Sequence, residues 1–387
     1  MIDVSSETCT GCSACVVVCP RSCIRMVPDA EGFAVPVIDE DSCVECGLCE
    51  RRCPEMHREM FDSQDQVSYA LKWRSTSPAI ERSASGGAFL ALALTILEQG
   101  GTVYGAAFDK SYAVRHIRVR TKDELTKIQG SKYVQSDIGS TYLEVAKDLS
   151  EGRQVLFSGT PCQIAGLYAC VKGDGENLYT VDVVCHGVAS PKLFSKYLEW
   201  VNEKYGRLRE YSFRSKRFGW GNVVHIEGER RQRYVSSSDP YNKAYMGGTC
   251  YREVCYKCKY AQQSRVSDIT ICDFWGIQSQ HPDFYRKDGV SGVLVNSDHG
   301  AALFELIWNR CEVLRVNFES IAAHNGNLKA PSKRPPVRGD LYKGICELSG
   351  QEFVEKRLVP LISFKDRIKA SIPFWVKYPI RRALKRF

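Results

Sequence analysis

The sequence lacks a hydrophobic run long enough to cross a membrane. Its most apolar helix candidate, residues 88–97, has about half of the length that a transmembrane helix requires. Residues 1–7 also lack the basic and apolar segments of a secretory signal peptide. We therefore expect a cytoplasmic protein that is not integral to the membrane. In that compartment its 18 cysteines would be reduced or bound to metal.

Low-complexity segments are also absent, and the chain is nearly neutral outside its C-terminus. Residues 364–387 hold eight Lys or Arg side chains and one acid, Asp366, so they supply +7 of the net charge of +8. This local concentration argues against a nucleic-acid partner. Because the basic residues alternate with aromatic ones, the tail favours peripheral contact with an anionic membrane surface, at its inner face, or with an acidic partner. A solvated tail, or one packed on the protein, is the alternative.

Cysteine is abundant near the N-terminus, in two runs that both read C-x2-C-x2-C-x3-C-P. Three thiolates at this spacing can bind three irons of one [4Fe-4S] cube, while the fourth, followed by proline, reaches the other cube. This crossed pattern predicts one cube on Cys9, Cys12, Cys15 and Cys53, and a second on Cys43, Cys46, Cys49 and Cys19.

Zinc sites and a disulfide framework are the alternative uses of these cysteines. Zinc sites draw their ligands from C-x2-C pairs rather than triplets. A disulfide framework needs an oxidising compartment. The doubled spacing therefore favours two cubes in a ferredoxin-type module over residues 1–60.

After a short polar linker at 62–66, helical and strand patterns alternate. Such alternation predicts an α/β layer with a partly parallel sheet. Short runs in residues 208–235 predict an antiparallel insertion in this layer. The fold class is thus α+β overall, with a small two-cluster ferredoxin-like domain before a larger α/β domain. The predicted helices cover 88–97, 142–149, 163–171, 191–205 and 300–308, and the predicted strands cover 102–106, 155–157, 179–184, 269–275, 293–295 and 313–316.

A second cysteine constellation lies in the α/β region. Its members follow predicted strands or lie in a loop, where ligands of open α/β sheets collect. Cys255 and Cys258 form a C-x2-C pair, a moderate metal signal. Cys162 is ambiguous, because a thiol at a helix N-terminus has a lowered pKa and could be a nucleophile. The four cysteines are Cys162, Cys185, Cys255 and Cys258.

Several longer motifs lie between residues 67 and 340. They are GSKYVQS at 130–136, VLFSGTPCQI at 155–164, DVVCHG at 182–187, SDIT at 267–270 and DFWG at 273–276. Together they resemble the beta subunits of coenzyme F420 (deazaflavin) hydrogenases and dehydrogenases. The chain is similar to a bacterial branch in which a ferredoxin module is fused in front and which is often linked to polysaccharide biosynthesis.

The resemblance implies a family N-terminal part at 67–175, a C-terminal part at 176–340 and an extension at 341–387. It also implies bound FAD and a third [4Fe-4S] cluster on Cys162, Cys185, Cys255 and Cys258. Cys250 is close enough in sequence to compete as a ligand but lies outside the motif.

No G-x-G-x-x-G fingerprint is present, so the flavin rests on the resemblance. Ser85, Gly86 and Gly87 at a helix start could offer backbone N–H groups to a pyrophosphate, and Lys132 could stabilise a reduced flavin. A helix cap and a solvated lysine are the plain alternatives. The flanking motif residues Tyr133, Gln135 and Ser136 are assigned to the same site by resemblance, and His186 is a weak candidate proton donor that could equally be structural.

These patterns together predict an iron-sulfur flavoprotein oxidoreductase. Electrons from a ferredoxin or a reductase would pass through the N-terminal cubes and the third cluster to FAD, then to an unidentified small-molecule or lipid-linked substrate. One alternative is an electron-transfer subunit without its own substrate site. Another is a zinc-stabilised binding protein in which the second cysteine set is structural.

Overall fold

The structure is a computed structural model that describes residues 7–57, 64–75, 78–171 and 175–372. Residues 62 and 63 of the predicted linker and residues 373–387 of the basic tail lie outside the described residues. Within the described part of the chain, no helix has the length and apolar character needed to cross a membrane.

The N-terminal module is a small two-fold repeat, as its doubled cysteine spacing suggests. One antiparallel hairpin, formed by β1 (Ile24–Pro28) and β2 (Ala34–Ile38), separates two short helices. Helix α1 (Ala14–Val18) begins inside the first cysteine run and α2 (Leu48–Arg51) inside the second. Each run therefore continues into one helical turn.

One mixed eight-stranded sheet forms the centre of the larger domain, in the order β13-β3-β12-β11-β7-β6-β4-β5. The neighbouring pairs among β4, β6, β7 and β11 are parallel, and the outer pairs are antiparallel. The strands are β3 (Val67–Trp73), β4 (Thr102–Phe108), β5 (Val114–Val119), β6 (Val155–Gly159), β7 (Leu178–Val183), β11 (Ile269–Asp273), β12 (Ser291–Val295) and β13 (Cys311–Val316).

Helices cover both faces of this sheet, because its strands bury side chains alternately on either side. On β6, Leu156 packs with α4 on one face, while Val155 and Phe157 pack with α6 and α7 on the other. The helices up to the insertion are α3 (Pro78–Glu81), α4 (Ala88–Glu98), α5 (Lys122–Ile128), α6 (Thr141–Ser150), α7 (Pro161–Cys170) and α8 (Pro191–Tyr205).

The antiparallel insertion is a separate three-stranded sheet, in the order β10-β9-β8, from β8 (Leu208–Ser212), β9 (Val224–Gly228) and β10 (Gln232–Val235). It packs on α8 through aromatic side chains such as Phe194 and Tyr211. The remaining helices are α9 (Pro240–Met246), α10 (Ile277–Gln280), α11 (Asp298–Glu305), α12 (Phe318–Ala322), α13 (Arg338–Leu341), α14 (Gly350–Phe353) and α15 (Phe364–Ser371).

The predicted fold class is confirmed, including the small module, the partly parallel sheet and the insertion. Ranges 67–175 and 176–340 both supply strands to the same sheet, so they are two parts of one folded unit. Strands β3 and β5 were not predicted. In β3 the charged Lys72 interrupts the apolar pattern, and it is buried only because it pairs with Glu312 on β13 at 3.1 Å.

A close approach of two helices joins the module to the larger domain. Helix α1 meets α7, and the Cys170 Sγ lies 3.7 Å from the Ala14 carbonyl oxygen. Gly166 makes this approach feasible, because a Cβ on it would lie 3.0 Å from the Cys12 Cβ and 2.8 Å from the Tyr142 Oη. A larger side chain at residue 166 would push the first cysteine run away.

We expect Gly166→Val to lower the free energy of unfolding by about 1–3 kcal/mol, the usual cost of overpacking. Urea unfolding followed by circular dichroism under anaerobic conditions measures this loss. The matched control is Gly326→Val, since a Cβ on Gly326 would meet nothing within 4 Å. Equal stability of the two variants would contradict the close contact at Gly166.

Candidate metal centres

The eight cysteines of the N-terminal runs line two separate cavities. The first cavity, of about 340 Å³ including its open mouth, is lined by Cys9, Cys12, Cys15 and Cys53. The second cavity, of about 360 Å³, is lined by Cys19, Cys43, Cys46 and Cys49. Each takes three cysteines from one run and the fourth from the other, so the thiol groups present fit the crossed arrangement of two cubes. The ligand assignment itself stays a prediction.

Both cysteine runs fold with the same unusual backbone. Gly11 and Glu45, at matching places, have φ of 70° and 53°, and Ser13 and Gly47 have φ of 66° and 67°. Left-handed residues turn their amides toward the concave side of a loop. The Gly11 N–H accordingly donates to the Cys9 Sγ at 3.3 Å, and the Glu45 N–H lies 3.5 Å from the Cys43 Sγ. Each loop thus offers hydrogen bonds to its own sulfur.

The two cavities differ in their exposure. At the second cavity Cys46 is exposed, and its neighbour Val44 is 60% exposed. In the first cavity Cys12, Cys15 and Cys53 are buried. The second cavity therefore has the more exposed cysteines, while the first adjoins the larger domain through Cys9 and Cys12.

Cys23 belongs to neither cysteine run, yet it adjoins the second cavity. It is buried, it lines that cavity, and its Sγ lies 3.4 Å from the Cys19 Sγ. Its position four residues after Cys19, outside the repeated spacing, gave no sign of this contact.

The third cysteine set is spread along the chain and meets in the larger domain. Cys162 lies in the first turn of α7, where Pro161 begins the helix and Thr160 caps it. Cys185 follows β7, and Cys255 and Cys258 lie in the turn that precedes β11. Three structural elements therefore have to come together to form this set.

Loss of contact with water is the main influence on the pKa values of the four thiols in the third set. It raises the pKa of all four thiols, that of Cys255 to about 12. The charges of Cys185, Cys255 and Cys258 each raise the pKa of Cys162 further, so the four sulfurs are close enough to repel one another as thiolates. Bound metal removes this penalty by replacing the protons. The donor set thus fits a metal cluster.

Cys250 stands apart from the third set. Its side chain is fully buried in the aromatic core beside Tyr241 and Tyr342. Among the four thiols of the set, only Cys255 acts on it electrostatically. The geometry therefore favours Cys250 as a core residue.

No group of three or more Cys, His, Asp or Glu side chains in the described ranges converges tightly enough to share one metal ion. A four-iron cube does not require such convergence, because each thiolate binds a different iron.

Two buried tyrosines lie between the first cavity and the third set. Tyr142 and Tyr260 are 0% and 1% exposed. The charges of both Cys12 and Cys162 act on the pKa of each ring hydroxyl, which burial raises. The Tyr142 hydroxyl donates to the Gln163 carbonyl at 2.8 Å, next to Cys162. The two cysteine sets are therefore separated by packed protein and not by solvent.

Buried arginines surround these sets, and the sequence reading missed them. Arg265 is 2% exposed and pairs with the buried carboxylate of Asp182 at 2.9 Å. The charge of Arg265 opposes the burial that raises the pKa of Cys185 and Cys258. A single arginine in a sequence resembles any solvated surface residue, so no pattern could have identified it.

The predicted flavin residues divide between two places. Gly86 has a packing role, because a Cβ there would lie 2.3 Å from the Leu71 carbonyl oxygen and 2.6 Å from the Ser291 nitrogen. Gly87 has φ of 96° and begins α4. Ser85 donates from its hydroxyl to the Val290 carbonyl at 2.8 Å.

Lys132 and Lys216 are partly buried lysines whose amines approach this segment. The Lys216 Nζ donates to the carbonyl oxygens of Ile80 and Ser85 at 3.0 and 2.6 Å. The Lys132 Nζ donates to the carbonyl oxygen of Gln129 at 2.7 Å, and the Gln129 side chain reaches the Ala79 carbonyl. Burial lowers the pKa of both amines to about 7. Neither forms a salt bridge in the part of the chain described, so the donors fit an anionic group. Lys216 was not predicted.

Tyr133 stacks on Tyr245 with ring centroids 4.3 Å apart, and its hydroxyl accepts from Arg214 at 3.2 Å. Arg214 in turn binds Asp273 through two nitrogens, at 2.9 and 3.1 Å. His186 is near this pair, and burial lowers its pKa. This network joins the DFWG motif to the GSKYVQS motif, a contact that the sequence did not predict.

Gln135 and Ser136 lie elsewhere. Gln135 donates to the Thr10 carbonyl at 3.1 Å, so it contacts the first cysteine run. The Ser136 hydroxyl meets the His116 Nδ1 at 2.7 Å. Their role in flavin binding stays a prediction, and the structure gives each a structural contact.

Comparison with known proteins gives two family matches. Residues 8–56 match the 4Fe-4S dicluster domain. Residues 152–317 match the C terminus of the coenzyme F420 hydrogenase/dehydrogenase beta subunit.

Individual relatives cover parts of the chain. An uncharacterised protein of Methanocaldococcus jannaschii is 25% identical over 203 residues, 45% of this chain, and the match spans only 55% of that relative. A 7Fe ferredoxin of Hydrogenibacillus schlegelii is 38% identical over 78 residues, which cover 19% of this chain and 94% of the ferredoxin. A chain of the F420-reducing [NiFe] hydrogenase complex from Methanosarcina barkeri aligns with a TM-score of 0.46 and 16% identity, over 77% of this chain and 91% of that one.

Proposed function

Because this chain belongs to the family of coenzyme F420 hydrogenase/dehydrogenase beta subunits and carries a 4Fe-4S dicluster domain in front, we propose that it is an iron-sulfur flavoprotein oxidoreductase. Electron transfer through iron-sulfur centres is the part of this function that the family matches support directly. The flavin, the substrate and the partners are the finer part of the proposal.

One observation carries the proposed direction of electron flow. The cysteines of the second cavity are the more exposed, the first cavity adjoins the larger domain through Cys9 and Cys12, and the third cysteine set lies beyond the buried Tyr142 and Tyr260. An external donor, such as a ferredoxin or a reductase, would therefore deliver electrons at the second cavity. The third set would pass them to the flavin.

For the flavin, the proposed site is the segment around Ser85 and Gly87 with Lys132 and Lys216. A bound flavin would supply the chemistry that joins one-electron centres to a two-electron product. The protein's own contribution would be two amines that favour an anionic group. The substrate would be a small or lipid-linked molecule, and the link to polysaccharide synthesis rests on the resemblance alone.

The iron content tests the three centres. Three cubes require about twelve irons per chain, and the two N-terminal cubes alone require about eight. Cys258→Ser should lower the iron content by about four, while Cys250→Ser, the matched control in the aromatic core, should leave it unchanged. Elemental analysis of anaerobically purified protein measures both.

Cys46→Ser extends the same test to electron delivery. It should also remove about four irons and should slow the reduction of the remaining centres by a reduced ferredoxin, measured by stopped-flow absorbance. Reduction as fast as in the unchanged protein would overturn the proposed route. Zinc in place of iron at the third set would favour the zinc-stabilised alternative.

The flavin site predicts a dependence of binding on pH. An anionic ligand favours the protonated amines, and both amines lose their protons above a pKa of about 7. The affinity for FAD should therefore be highest below about pH 6.5 and should fall as the pH rises through 7. Quenching of flavin fluorescence measures it. The Lys132→Met/Lys216→Met double variant should lose this dependence, and Lys122→Met, at an exposed lysine, should keep it. A flat affinity in the unchanged protein would contradict the site.

We also propose that the C-terminal segment contacts an anionic membrane surface. On α15, Phe364 and Ile368 are 76% and 49% exposed, next to Lys365 and Lys369. The acid of this helix, Asp366, is turned inward and binds Lys243 at 2.7 Å. The outer face is thus apolar and basic, as in helices that lie at a membrane surface.

Vesicle sedimentation tests the membrane contact. The protein should sediment with anionic vesicles and not with neutral ones, and high salt should release it. Phe364→Ser/Ile368→Ser should weaken binding, whereas Leu143→Ser/Leu306→Ser, which changes two other exposed apolar residues, should not. Equal recovery in the supernatant with either lipid would end this proposal.

A further inference from the structure

Arg252 is a buried cation at the boundary between the first cavity and the third cysteine set. Its side chain is 1% exposed. Its Nε donates to the Cys9 carbonyl at 2.6 Å, and its terminal nitrogens donate to the Ala34 carbonyl at 3.0 Å and to the Gln135 Oε1 at 3.1 Å. All three acceptors are neutral oxygens. Over the described ranges, Arg252 forms no salt bridge with a carboxylate.

The same residue holds a cysteine on each side of the boundary. Its side chain fixes the peptide of Cys9, and its backbone carbonyl accepts the Cys255 N–H at 2.9 Å. Gly11 adapts the first run to this contact, because a Cβ there would lie 2.9 Å from the Arg252 Nη1 and 2.4 Å from the Gln135 Nε2. Arg252 thus fixes the relative position of the two cysteine sets.

An unpaired buried cation is costly, because burial removes its hydration and hydrogen bonds to neutral oxygens return only part of it. Negative charge nearby would offset the cost. The thiolate-bound clusters proposed on either side are the available source, since Arg252 hydrogen-bonds the Cys9 carbonyl through its side chain and the Cys255 N–H through its backbone. A reduced iron-sulfur centre carries more negative charge than an oxidised one, so the same cation favours reduction.

Arg338 also connects the larger domain to the module, but its positive charge has a carboxylate partner. It is 0% exposed, but two of its nitrogens bind the carboxylate of Glu31 at 2.8 and 2.5 Å. Its Nη1 also lies 3.6 Å from a carboxylate oxygen of Glu253, so two carboxylates offset the charge that Arg338 places near Cys255. Both arginines attach the module to the larger domain, but only Arg252 supplies a positive charge without a carboxylate partner in the described ranges. A comparison of the two residues therefore distinguishes attachment from charge.

We propose that Arg252 is a positioning residue whose uncompensated charge raises the reduction potential of the centres on both sides of the boundary. The inference rests on the proposed function, because it requires clusters on Cys9, Cys12, Cys15 and Cys53 and on the third set. It also gives a reason for burying this arginine, which belongs to none of the sequence motifs: its charge makes the centres on both sides easier to reduce.

The test is a redox titration of the full anaerobically purified chain, followed by visible and EPR spectroscopy. Arg252→Gln should move the midpoint potentials of the affected centres to more negative values, by on the order of a tenfold change in the reduction equilibrium, which equals about 59 mV for one electron. Arg252→Lys keeps the charge and should keep the potentials, while the loss of the forked hydrogen bonds slows transfer between the centres. Glu31→Gln/Arg338→Gln removes a neutral pair and should leave the potentials in place.

Unchanged potentials in Arg252→Gln, at full iron content, would overturn the inference and leave the proposed function standing. If that variant loses iron, Arg252→Lys decides: potentials at their original values support the charge effect, and potentials shifted negative overturn it. A chain without iron in its unchanged form would overturn the proposed function, and the iron count identifies that case.

Discussion

Burial of sulfur at the junction of two domains is the constraint on which the rest of the structure depends. The first cavity and the third set place thiols on either side of one boundary. Loss of water raises the pKa of Cys12, Cys15 and Cys53 on one side and of all four thiols of the third set on the other. The boundary must therefore supply compensating groups. It does so with buried arginines and with backbone amides in left-handed turns. The helix contact at Gly166 brings the two sides together and leaves no room for a larger residue there.

The same constraint explains the polar groups inside an otherwise apolar interface. Arg252, Arg265 and Arg338 are nearly inaccessible to solvent, and all three bind backbone or side-chain oxygens close to the cysteines. In a simple structural interface, apolar residues would serve as well at lower cost. Of the three, Arg252 alone has no carboxylate partner within the described ranges, so its charge is the one left available to a neighbouring centre.

The sequence predicted the features that depend on the spacing of residues close together in the chain. The doubled cysteine runs predicted the two cavities' cysteine groups, and the apolar periods predicted the alternating helices and strands, with α8 at its observed bounds. It could not predict what depends on distant partners. Strand β3 is stabilised by Glu312, more than two hundred residues away, and Lys216 becomes a partly buried lysine only through contacts with Ile80 and Ser85. Gln135 was assigned to the flavin by its motif, yet its side chain meets the first cysteine run.

The place of β3 in the sheet has a consequence for biosynthesis. It is the first strand after the module, yet it pairs on both sides with strands from residues 291–316. Pairing over such distances in sequence is slow. During translation the module is therefore synthesised completely before β12 and β13, the last two strands of the larger sheet. The third cysteine set, completed by Cys258, is also available before β12 and β13 are made. The cysteines of the module and of the third set are therefore present in the nascent chain while its sheet is still incomplete.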